Sequence, residues 1–518
     1  MKYAVSSQEM KICDRNTSDH FGLNPLILME RASLEGVREI EDWKEKRHPG
    51  RRIRVLILAG VGNNGGDAVC IGRILKTRGY IVNLCVMGDY TRASDELVTQ
   101  LKIAEKYGIV TDTFSYIRDN KSGYDFDIIV DGLFGIGLSR PLTGDILEAV
   151  RFVNGCKEEL GEDMLILSVD MPSGISADDG RILGDAIRAD ITVTFNQVKL
   201  GQILYPGCLY VGELKVADAG ITYESFLGKE PGAVFYDGKP KDLLPDRRHD
   251  GNKGTYGKVL IIAGSRDISG ACILASSACL KAGAGMVRVF TAIENAEAVK
   301  TLLPEVILDT YEEFEPVRDK LQEAMSWSTQ AVIGPGIGTE AMGKELLKVL
   351  LDSYNKSLVM DADALNIIAQ DKELMRMASE FTTGGKKLIL TPHMGEFARL
   401  MNMGIKECKE HFLEYPQELA RKLHCTVLCK DARSIVADSN EKKIYINISG
   451  NDGMATAGSG DVLAGIAGAL LSYDMTGFEV AAAASYIHGR AGDKAIEKSG
   501  RYSLVASDIA GALPEVIY

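Results

Sequence analysis

Two long stretches of the sequence each alternate short apolar segments with longer segments of helical periodicity. This alternation is typical of βαβ units, in which parallel strands are joined by helices that cover the sheet. The first stretch predicts strands near residues 53–59, 81–87, 126–130, 164–169 and 191–195. The second predicts strands near residues 258–263, 286–290, 330–333, 357–360, 387–390 and 426–429. The sequence therefore predicts an α/β fold with two mostly parallel sheets.

The segment between these stretches, residues 223–252, is polar, is broken by Pro and Gly and has no helical period. We therefore place a domain junction near residue 230, with a first domain at residues 1–225 and a second at residues 235–518. A chain of 518 residues is long enough for two such cores. The first fifty residues predict two helices that cover the first sheet or form a subunit contact.

Charge and composition argue against several classes of protein. A formal net charge of −13 argues against a nucleic-acid-binding protein. The N-terminal segment has no apolar signal sequence, and the longest apolar run, residues 462–471, predicts a buried helix too short to cross a bilayer. The ten cysteines and seven histidines form no zinc-binding pattern, and Cys425 and Cys429 are expected to pack in the core. We expect a cytoplasmic protein with no nucleic-acid or membrane partner.

A glycine-rich turn follows the first predicted strand. Its residues Gly60, Gly62 and Gly65 satisfy GxGxxG, which alone is a weak signal for phosphate binding at a helix N-terminus. The more specific feature is the run NNGGD at residues 63–67, whose amide and carboxylate oxygens a plain dinucleotide-binding turn lacks. The alternative is structural, with Asn and Gly shaping the turn and Asp67 capping the next helix.

Two more loops place acids and glycines directly after predicted strands. Residues 131–138 follow the strand near 126–130, and residues 170–174 follow the strand near 164–169. Ligands of open α/β sheets bind outside the carboxyl ends of the strands. Because all three loops meet at one such edge, the sequence favours a binding site there over three unrelated turns.

The runs NNGGD, VDGLFGIGLSRP and SVDMPSG resemble, in this order and spacing, those of the NAD(P)H-hydrate epimerase domain, over about residues 1–220. The resemblance implies a Rossmann-like three-layer αβα sandwich. It also implies a potassium ion held by Asn64, Asp131 and Ser173, an oxygen-only set that suits a hard cation. The residues that it implies for binding the hydrated nucleotide are Asn63, Asn64, Gly65, Gly66, Asp67, Gly135, Ile136, Gly137, Leu138, Ser139, Arg140, Pro141 and Asp170.

The epimerase resemblance implies exchange of configuration at C6 of the hydrated nicotinamide ring, where a hydroxyl and the ring nitrogen share one carbon. Opening or dehydroxylating that centre needs an acid or base, and Asp170 is the best candidate by position. Lys199 matches a lysine often found in the family. The sequence departs from the family at Gln197-Val198 and at Ala68, which puts only loop detail in doubt.

A second glycine-rich segment, residues 450–461, leads straight into the apolar run 462–471. Small residues before a helix N-terminus form an anion-binding site, and Asp461 lies at its rim. We interpret Asp461 as a base that takes a proton from an attacking hydroxyl, as phosphoryl transfer requires. The alternative is that Asp461 is only an N-cap.

Three further groups follow other strands of the second stretch. His393 and Glu396 lie at the end of one strand, and we favour substrate contact for His393 and a magnesium or phosphate-water role for Glu396 over a core histidine. The loop GPGIG covers residues 334–338. Asp361 and Asp363 are either part of the site or caps of the next helix, and the sequence leaves both possibilities open.

The segments GKVLIIAGS, GPGIG, MDADALN, TPHMGEF, LCKDARS and NDGMATAGSGDVLAG resemble the ADP/ATP-dependent NAD(P)H-hydrate dehydratase branch of the ribokinase-like superfamily, over about residues 245–515. This implies a ribokinase-like αβα domain. The residues implied for ADP or AMP are Lys430, Asp431, Ala432, Arg433, Ser434 and Gly460. Those implied for the hydrate are Ala271, Gly338, His393 and Asp461.

The order of the two domains resembles the bifunctional NAD(P)H-hydrate repair enzymes. It implies epimerisation of the R and S hydrates of NADH and NADPH, then dehydration of the S form with ADP, or ATP, to give AMP and phosphate in the ADP reaction. Potassium and magnesium are the implied ions, and we expect a homo-oligomer. The alternatives are a small-molecule kinase of the ribokinase-like type fused to a nucleotide-binding domain, a first domain that only senses nucleotide, and a dehydrogenase that uses Asp89 for ribose.

Overall fold

A computed structural model describes residues 1–120, 126–313, 315–382 and 384–517. The chain divides into two compact units, one from Tyr3 to Gly232 and one from Ala233 onward together with Met1 and Lys2. Each unit is built on a largely parallel sheet with helical connections, as the sequence predicts. None of the helices in the described ranges combines the length and apolar character needed to cross a membrane.

The first unit contains nine strands and seven α-helices within its described residues. The strands are β1 (Lys2–Val5), β2 (Arg54–Ala59), β3 (Ile81–Val86), β4 (Val110–Thr111), β5 (Ile128–Gly132), β6 (Leu165–Val169), β7 (Ile191–Phe195), β8 (Val198–Lys199) and β9 (Glu213–Ala217). The helices are α1 (Ser7–Asp19), α2 (Pro25–Arg47), α3 (Asn63–Thr77), α4 (Asp95–Lys106), α5 (Phe114–Asn120), α6 (Gly144–Leu160) and α7 (Leu200–Ile203).

The main sheet of the first unit has the parallel order β4-β3-β2-β5-β6-β7-β9. Its central strands are apolar and buried on both faces, which is typical of a parallel sheet covered by helices. On one face, Val37 and Ile40 of α2 pack with Ile71 of α3, and on the other Val150 and Val153 of α6 enter the core. The predicted three-layer arrangement is therefore confirmed, and α2 covers the first sheet.

The second unit contains ten strands and twelve α-helices in the part of the chain that is described. The strands are β10 (Ala233–Phe235), β11 (Lys258–Ile262), β12 (Met286–Ala292), β13 (Ile307–Tyr311), β14 (Gln330–Ile333), β15 (Ser357–Met360), β16 (Leu388–Leu390), β17 (Thr426–Cys429), β18 (Ile435–Asp438) and β19 (Ile444–Ile446). The helices are α8 (Gly270–Lys281), α9 (Ala296–Leu302), α10 (Arg318–Trp327), α11 (Ala341–Ser353), α12 (Asp363–Gln370), α13 (Lys372–Glu380), α14 (Met394–Met401), α15 (Ile405–Glu410), α16 (Tyr415–Leu423), α17 (Ser459–Leu470), α18 (Gly477–Ser499) and α19 (Ala506–Ile517).

Within the second unit, the strands of the sheet follow the order β13-β12-β11-β14-β15-β16-β17-β18-β19-β10. Its pairs are parallel from β13 to β17 and between β19 and β10, whereas β18 runs antiparallel to both of its neighbours. Helix α17 coincides with the predicted buried helix, and every residue from Val462 to Leu470 is buried. Cys425 and Cys429 are likewise buried in the core.

One strand lies where the sequence predicts only a polar connection. Residues 233–235 form β10, whose side chains are buried and which pairs in parallel with β19. A three-residue apolar segment is too short to show a period-2 pattern, so the surrounding Gly, Pro and charged residues hid it. The junction segment is therefore partly built into the second sheet.

Candidate functional site

The carboxyl ends of the central strands of the first unit border a cavity of about 770 Å³. All three predicted loops contribute to its wall, which includes Asn63, Asn64, Asp67, Gly135, Ile136, Gly137, Arg140 and Asp170 of the predicted set. Among the described residues, the other predicted positions are not in this wall: Gly65, Gly66, Leu138, Ser139, Pro141, Asp131 and Ser173. The loops therefore converge on one cavity, although not every predicted residue lines it.

The glycine-rich turn is shaped by close packing. A Cβ at Gly60 would overlap the carbonyl oxygen of Leu133, and one at Gly65 would overlap the carbonyl oxygen of Gly60. Helix α3 begins at Asn63 with Gly62 as its N-cap, so Asp67 lies one turn inside the helix. The interpretation of Asp67 as a helix cap is therefore wrong, and Asp67 is one of the residues that line the cavity.

Asp170 follows β6 with a left-handed backbone, φ 62°, and is paired with a buried lysine. The Lys199 ammonium, 1% exposed, donates to Asp170 Oδ1 over 2.5 Å. Thr194 Oγ1 donates to the same carboxylate oxygen at 3.1 Å and accepts from Lys199 Nζ at 2.8 Å. The other oxygen, Oδ2, lies beside Gly135, where an added Cβ would stand 3.3 Å from it. One edge of the carboxylate is therefore fixed by the protein, while the other faces the cavity wall.

Asp131 and Ser173, two of the three predicted potassium ligands, are in direct contact. The Ser173 hydroxyl donates to Asp131 Oδ1 over 2.6 Å, and the Ser173 amide donates to Oδ2 over 2.8 Å. Both residues are fully buried, and burial raises the pKa of Asp131 although these hydrogen bonds oppose the rise. Asn64, the third predicted ligand, lies beside Gly135, and its Nδ2 is buried with no hydrogen-bond partner in the described structure.

Two further acids in the first cavity were not singled out as site residues from the sequence. Asp14 of α1 and Glu96 of α4 both line it. Desolvation and the charge of Asp170 raise the pKa of Asp14, whereas Lys199 lowers it. Desolvation also raises the pKa of Asp67 well above its usual range, followed by the charges of Asp170 and Asp14. In the sequence, Asp14 and Glu96 look like ordinary surface acids. Only the packing of α1 and α4 around the cavity shows that they line it.

In the second unit, a buried ion pair joins two predicted strand-end loops. Lys430 Nζ donates to Asp361 Oδ1 over 2.7 Å, and Thr391 Oγ1 donates to the same oxygen over 2.8 Å. Burial lowers the pKa of Lys430, but Asp361 and Glu396 outweigh this effect and the net pKa is raised. A Cβ at Gly460 would stand 3.1 Å from Lys430 Nζ, which places the start of α17 against this pair.

Asp461 is the third residue of α17, and the N-cap of that helix is Gly458, with φ 85°. The interpretation of Asp461 as an N-cap is therefore wrong. Burial raises its pKa to about 6, with a further contribution from the charge of Asp361, whereas Lys430 lowers it. A carboxyl group with this pKa can accept a proton near neutral pH, which a general base requires.

His393 and Glu396 form a reciprocal cap at the start of α14. His393 Nδ1 accepts from the Gly395 amide at 2.9 Å, and Glu396 Oε2 accepts from the His393 amide at 2.9 Å. The His393 side chain is 55% exposed, so it is not a core histidine. The Glu396 side chain is 4% exposed, and burial raises its pKa to about 7. Both residues thus have a structural role, and His393 also leaves ring surface available to a ligand.

The remaining predicted positions surround this centre. The Gly338 amide donates to Asp363 Oδ2 over 2.9 Å, and α12 begins with Ala362 as its N-cap, so neither Asp361 nor Asp363 caps that helix. Ala271 is buried on α8, next to the space that a side chain at Gly336 would fill. Lys430 to Ser434 form the connection from β17 to β18, in which Asp431 and Ala432 are exposed.

Comparison with known proteins gives matches along nearly the whole chain. A family model described as YjeF-related protein N-terminus matches residues 25–201, and one described as NAD(P)H-hydrate dehydratase matches residues 259–515. The bifunctional NAD(P)H-hydrate repair enzyme Nnr of Moorella thermoacetica is 34% identical, over 99% of this chain and 96% of that protein. The protein of the same name from Thermofilum pendens is 35% identical, over 100% and 96%.

Solved structures match part of the chain. A ribokinase-like superfamily protein from Enterococcus faecalis is 28% identical, with a TM-score of 0.47, over 55% of this chain and 95% of that one. The two family models and the full-length relatives together decide the assignment. The chain belongs to the family of bifunctional NAD(P)H-hydrate repair enzymes.

Proposed function

We propose that this chain repairs hydrated NADH and NADPH in two steps. The first domain, residues 1–225, exchanges the R and S hydrates, and the second, residues 235–518, dehydrates the S form with ADP to give AMP and phosphate. The observation that carries this proposal is that each sheet presents its own candidate acid–base group beside a glycine-rich turn. These groups are Asp170 at the first cavity and Asp461 at the start of α17.

For epimerisation, the C6–O bond of the hydrate breaks as the ring nitrogen donates its lone pair, and the departing oxygen takes a proton. Water then adds to C6 from the opposite face and returns a proton to the enzyme. We propose that Asp170 takes part in this proton exchange, because Lys199 and Thr194 hold one of its oxygens while Oδ2 lies at the cavity wall. The loops 63–67 and 135–141 would hold the nucleotide, as their positions around the cavity support.

The residues around Asp131 fit a monovalent cation. Asp131 is a fully buried carboxyl group whose hydrogen bonds come from Ser168, Ser173 and the Leu133 amide, all of them uncharged groups. We propose that Asn64, Asp131 and Ser173 hold potassium through their oxygens, which would balance this buried charge and fix the loops. In the test, Asp131→Asn should remove any dependence of epimerisation on potassium. A variant that keeps the wild-type potassium dependence would overturn the assignment.

Dehydration must overcome the poor leaving ability of the C6 hydroxyl. We propose that Asp461 takes the hydroxyl proton while the oxygen attacks the terminal phosphorus of ADP, which releases AMP. The C6–O bond of the phosphoester then breaks, phosphate leaves, and loss of a proton from C5 restores the double bond. The glycine-rich turn, Gly460 and residues 430–434 would hold the nucleotide, and Ala271, Gly338 and His393 would contact the hydrate.

A magnesium ion fits this second site only with help from the nucleotide. Asp361 is already paired with Lys430, and one oxygen of Glu396 accepts the His393 amide. Mg²⁺ commonly uses one or two carboxylates together with substrate phosphates and water. We therefore propose that magnesium arrives with the nucleotide phosphates. Its role would be to neutralise their charge near Asp361 and Glu396.

The decisive experiment incubates the pure protein with mixed R and S hydrates, Mg²⁺, and either ADP or ATP. We expect NADH absorbance to rise to full conversion, with one phosphate released for each NADH. Activity with ATP alone would overturn the ADP assignment, and a stable phosphoester would favour the small-molecule kinase instead. Dependence on neither nucleotide would overturn the dehydratase assignment. The cytoplasmic location and the homo-oligomer remain predictions.

A further inference from the structure

One face of α18 contacts the glycine-rich segment that leads into α17. The residues of this face are spaced i, i+1, i+4 and i+5 along the helix, so that they project on the same side: His488, Gly489, Gly492 and Asp493. We call these four residues the α18 face. None of them belongs to the catalytic, nucleotide or hydrate positions proposed above, although all four lie in the second unit.

Asp493 fixes the first residues of the glycine-rich segment. Its Oδ2 accepts from the Gly450 amide at 3.2 Å, and its Oδ1 accepts from Asn451 Nδ2 at 3.1 Å. Gly450 has φ 101°, and a glycine can adopt many other backbone conformations at little cost. Hydrogen bonds are therefore needed to hold the backbone of Gly450 in this one. Asp493 therefore restrains the segment where its backbone is least restricted.

The two glycines of the α18 face let the segment approach the helix backbone. A Cβ at Gly489 would overlap Ser449 Oγ, and a Cβ at Gly492 would overlap Met454 Sδ. The segment thus lies directly against α18 on both sides of the Asp493 contacts. Such close packing leaves it few alternative positions.

His488 reaches the other end of the segment. Its Nε2 lies 3.2 Å from Ser459 Oγ, and Ser459 is the first residue of α17. Burial and the charge of Lys430 together lower the pKa of His488 to about 4, so the ring is neutral at physiological pH. In the neutral tautomer that carries its proton on Nε2, the ring donates to Ser459 Oγ, which leaves the serine O–H directed away and free to donate to an anion.

We propose that the α18 face positions the phosphate-binding turn of the dehydratase, with Asp493 holding its start and His488 orienting the Ser459 hydroxyl toward a nucleotide phosphate. This inference rests on the proposed function of the second domain. Its physical basis is that hydrogen-bond donors stabilise a phosphoryl-transfer transition state best when they are already in place. His488 and Asp493 act through the turn, so they are positioning residues.

The test compares steady-state dehydration of the S hydrate with ADP as the varied substrate. Asp493→Leu removes both hydrogen bonds to the turn, and Asp493→Asn turns one acceptor into a donor while keeping the shape. We expect kcat/KM for ADP to fall about 10-fold to 100-fold in Asp493→Leu and less in Asp493→Asn. The KM for the hydrate should stay within about twofold, because the hydrate contacts lie elsewhere.

The serine contact is tested by His488→Leu and His488→Gln. The leucine cannot donate to Ser459, whereas the glutamine amide can, so we expect His488→Gln to recover part of the activity that His488→Leu loses. Arg490→Ala is the matched control, because Arg490 is exposed on the same helix. Its kinetics should equal those of the wild type.

Three results decide the matter. If Asp493→Leu and His488→Leu keep wild-type kcat and KM for ADP, the inference is wrong. If instead the KM for the hydrate rises while the epimerase rate and the melting temperature fall, the α18 face is merely structural. The isosteric Asp493→Asn settles the case where Asp493→Leu does not fold. A wild-type protein that uses no adenine nucleotide would overturn the proposed function, and this inference with it.

Discussion

Both candidate sites contain a buried pair of lysine and aspartate, but the pair is used differently. In the first site, Lys199 binds Asp170 itself, the candidate acid–base group. In the second, Lys430 binds Asp361, a neighbour, and Asp461 keeps no such partner in the described structure while its pKa is raised to about 6. The two sites thus differ in which aspartate the lysine contacts. Asp170 is oriented and charge-balanced by its lysine, whereas Asp461 has no lysine partner among the described residues and is ready to accept a proton.

This difference matches the chemistry that we propose for each site. Epimerisation is symmetric, because the proton that leaves the enzyme in one half of the reaction returns in the other. A carboxylate with a permanent lysine beside it can balance charge in both halves. Phosphoryl transfer proceeds in one direction and needs a base whose pKa is close to the working pH. The two sites reach these states with the same residue types.

The largest expected effect is the separation of the two activities by single substitutions. Asp461→Asn should lower the rate of dehydration about 10²–10⁴-fold, the usual contribution of a general base, and leave epimerisation unchanged. Asp170→Asn should block exchange of R and S hydrates, while pure S hydrate is still dehydrated. NADH absorbance and chromatographic separation of the two hydrates measure these rates. Loss of both activities in a folded Asp461→Asn protein would contradict the independence of the sites.

The next effect concerns stability in the first unit. Lys199→Met should lower the free energy of unfolding by about 3–5 kcal/mol, because it leaves the buried Asp170 carboxylate without its counter-charge. Urea unfolding monitored by circular dichroism gives the difference. Lys215→Met is the control, since Lys215 pairs with Glu213 at the surface and such pairs contribute roughly 0–1 kcal/mol. Equal losses in both variants would show that the Lys199 pair is not special.

The pH dependence of dehydration tests the raised pKa of Asp461. A base must be deprotonated, so kcat/KM should be level above about pH 6 and fall with decreasing pH below that value. Lys430→Met removes a positive charge that lowers the pKa of Asp461, and the midpoint should therefore move to higher pH. A midpoint that stays in place or moves down would show that Lys430 does not act on Asp461.

The smallest expected effect comes from the hydroxyl beside the first pair. Thr194→Val removes the hydroxyl that donates to Asp170 and accepts from Lys199, but it leaves the ion pair itself. We expect a loss of about 1 kcal/mol in unfolding free energy and a decrease of a few fold in the rate of epimerisation. Thermal melts and hydrate exchange measure the two quantities. A loss as large as that of Lys199→Met would contradict the expectation that the ion pair contributes more than the threonine hydroxyl.

Much of the fold could be predicted because the strands are apolar on both faces and are followed by acids and glycines. The predicted strands at 191–195, 330–333, 357–360 and 426–429 have the observed bounds. The strands β9, β10, β13, β18 and β19 were not predicted. In β10 and β19, three residues are too few for a period-2 pattern to stand out from the flanking Gly, Pro and charged residues. β10 pairs with β19 across more than 200 residues of sequence, a contact that the local pattern cannot show.

In the sites, too, some features could be predicted from the sequence and others could not. The end of a predicted strand indicated the position of Asp170, and the predicted glycine-rich start of a helix indicated the position of Asp461. The pairing of Lys430 with Asp361 and the contacts of α18 with the turn depend on how distant segments pack, which residue spacing does not show. The capping alternatives for Asp67 and Asp461 failed because each helix begins before the acid, with a glycine as its cap.

The left-handed backbone of Asp170 limits which side chains can replace it. At φ 62°, Gly, Asn and Asp are tolerated far better than other residues. Glutamate, the usual substitute for a carboxylate, would strain the backbone and also overreach Lys199. Directed evolution of this domain should therefore find almost no functional variant with a single substitution at residue 170. Substitutions at neighbouring residues of the cavity wall should be tolerated more often. The proposed acid–base role and the geometry of the chain therefore constrain the same residue.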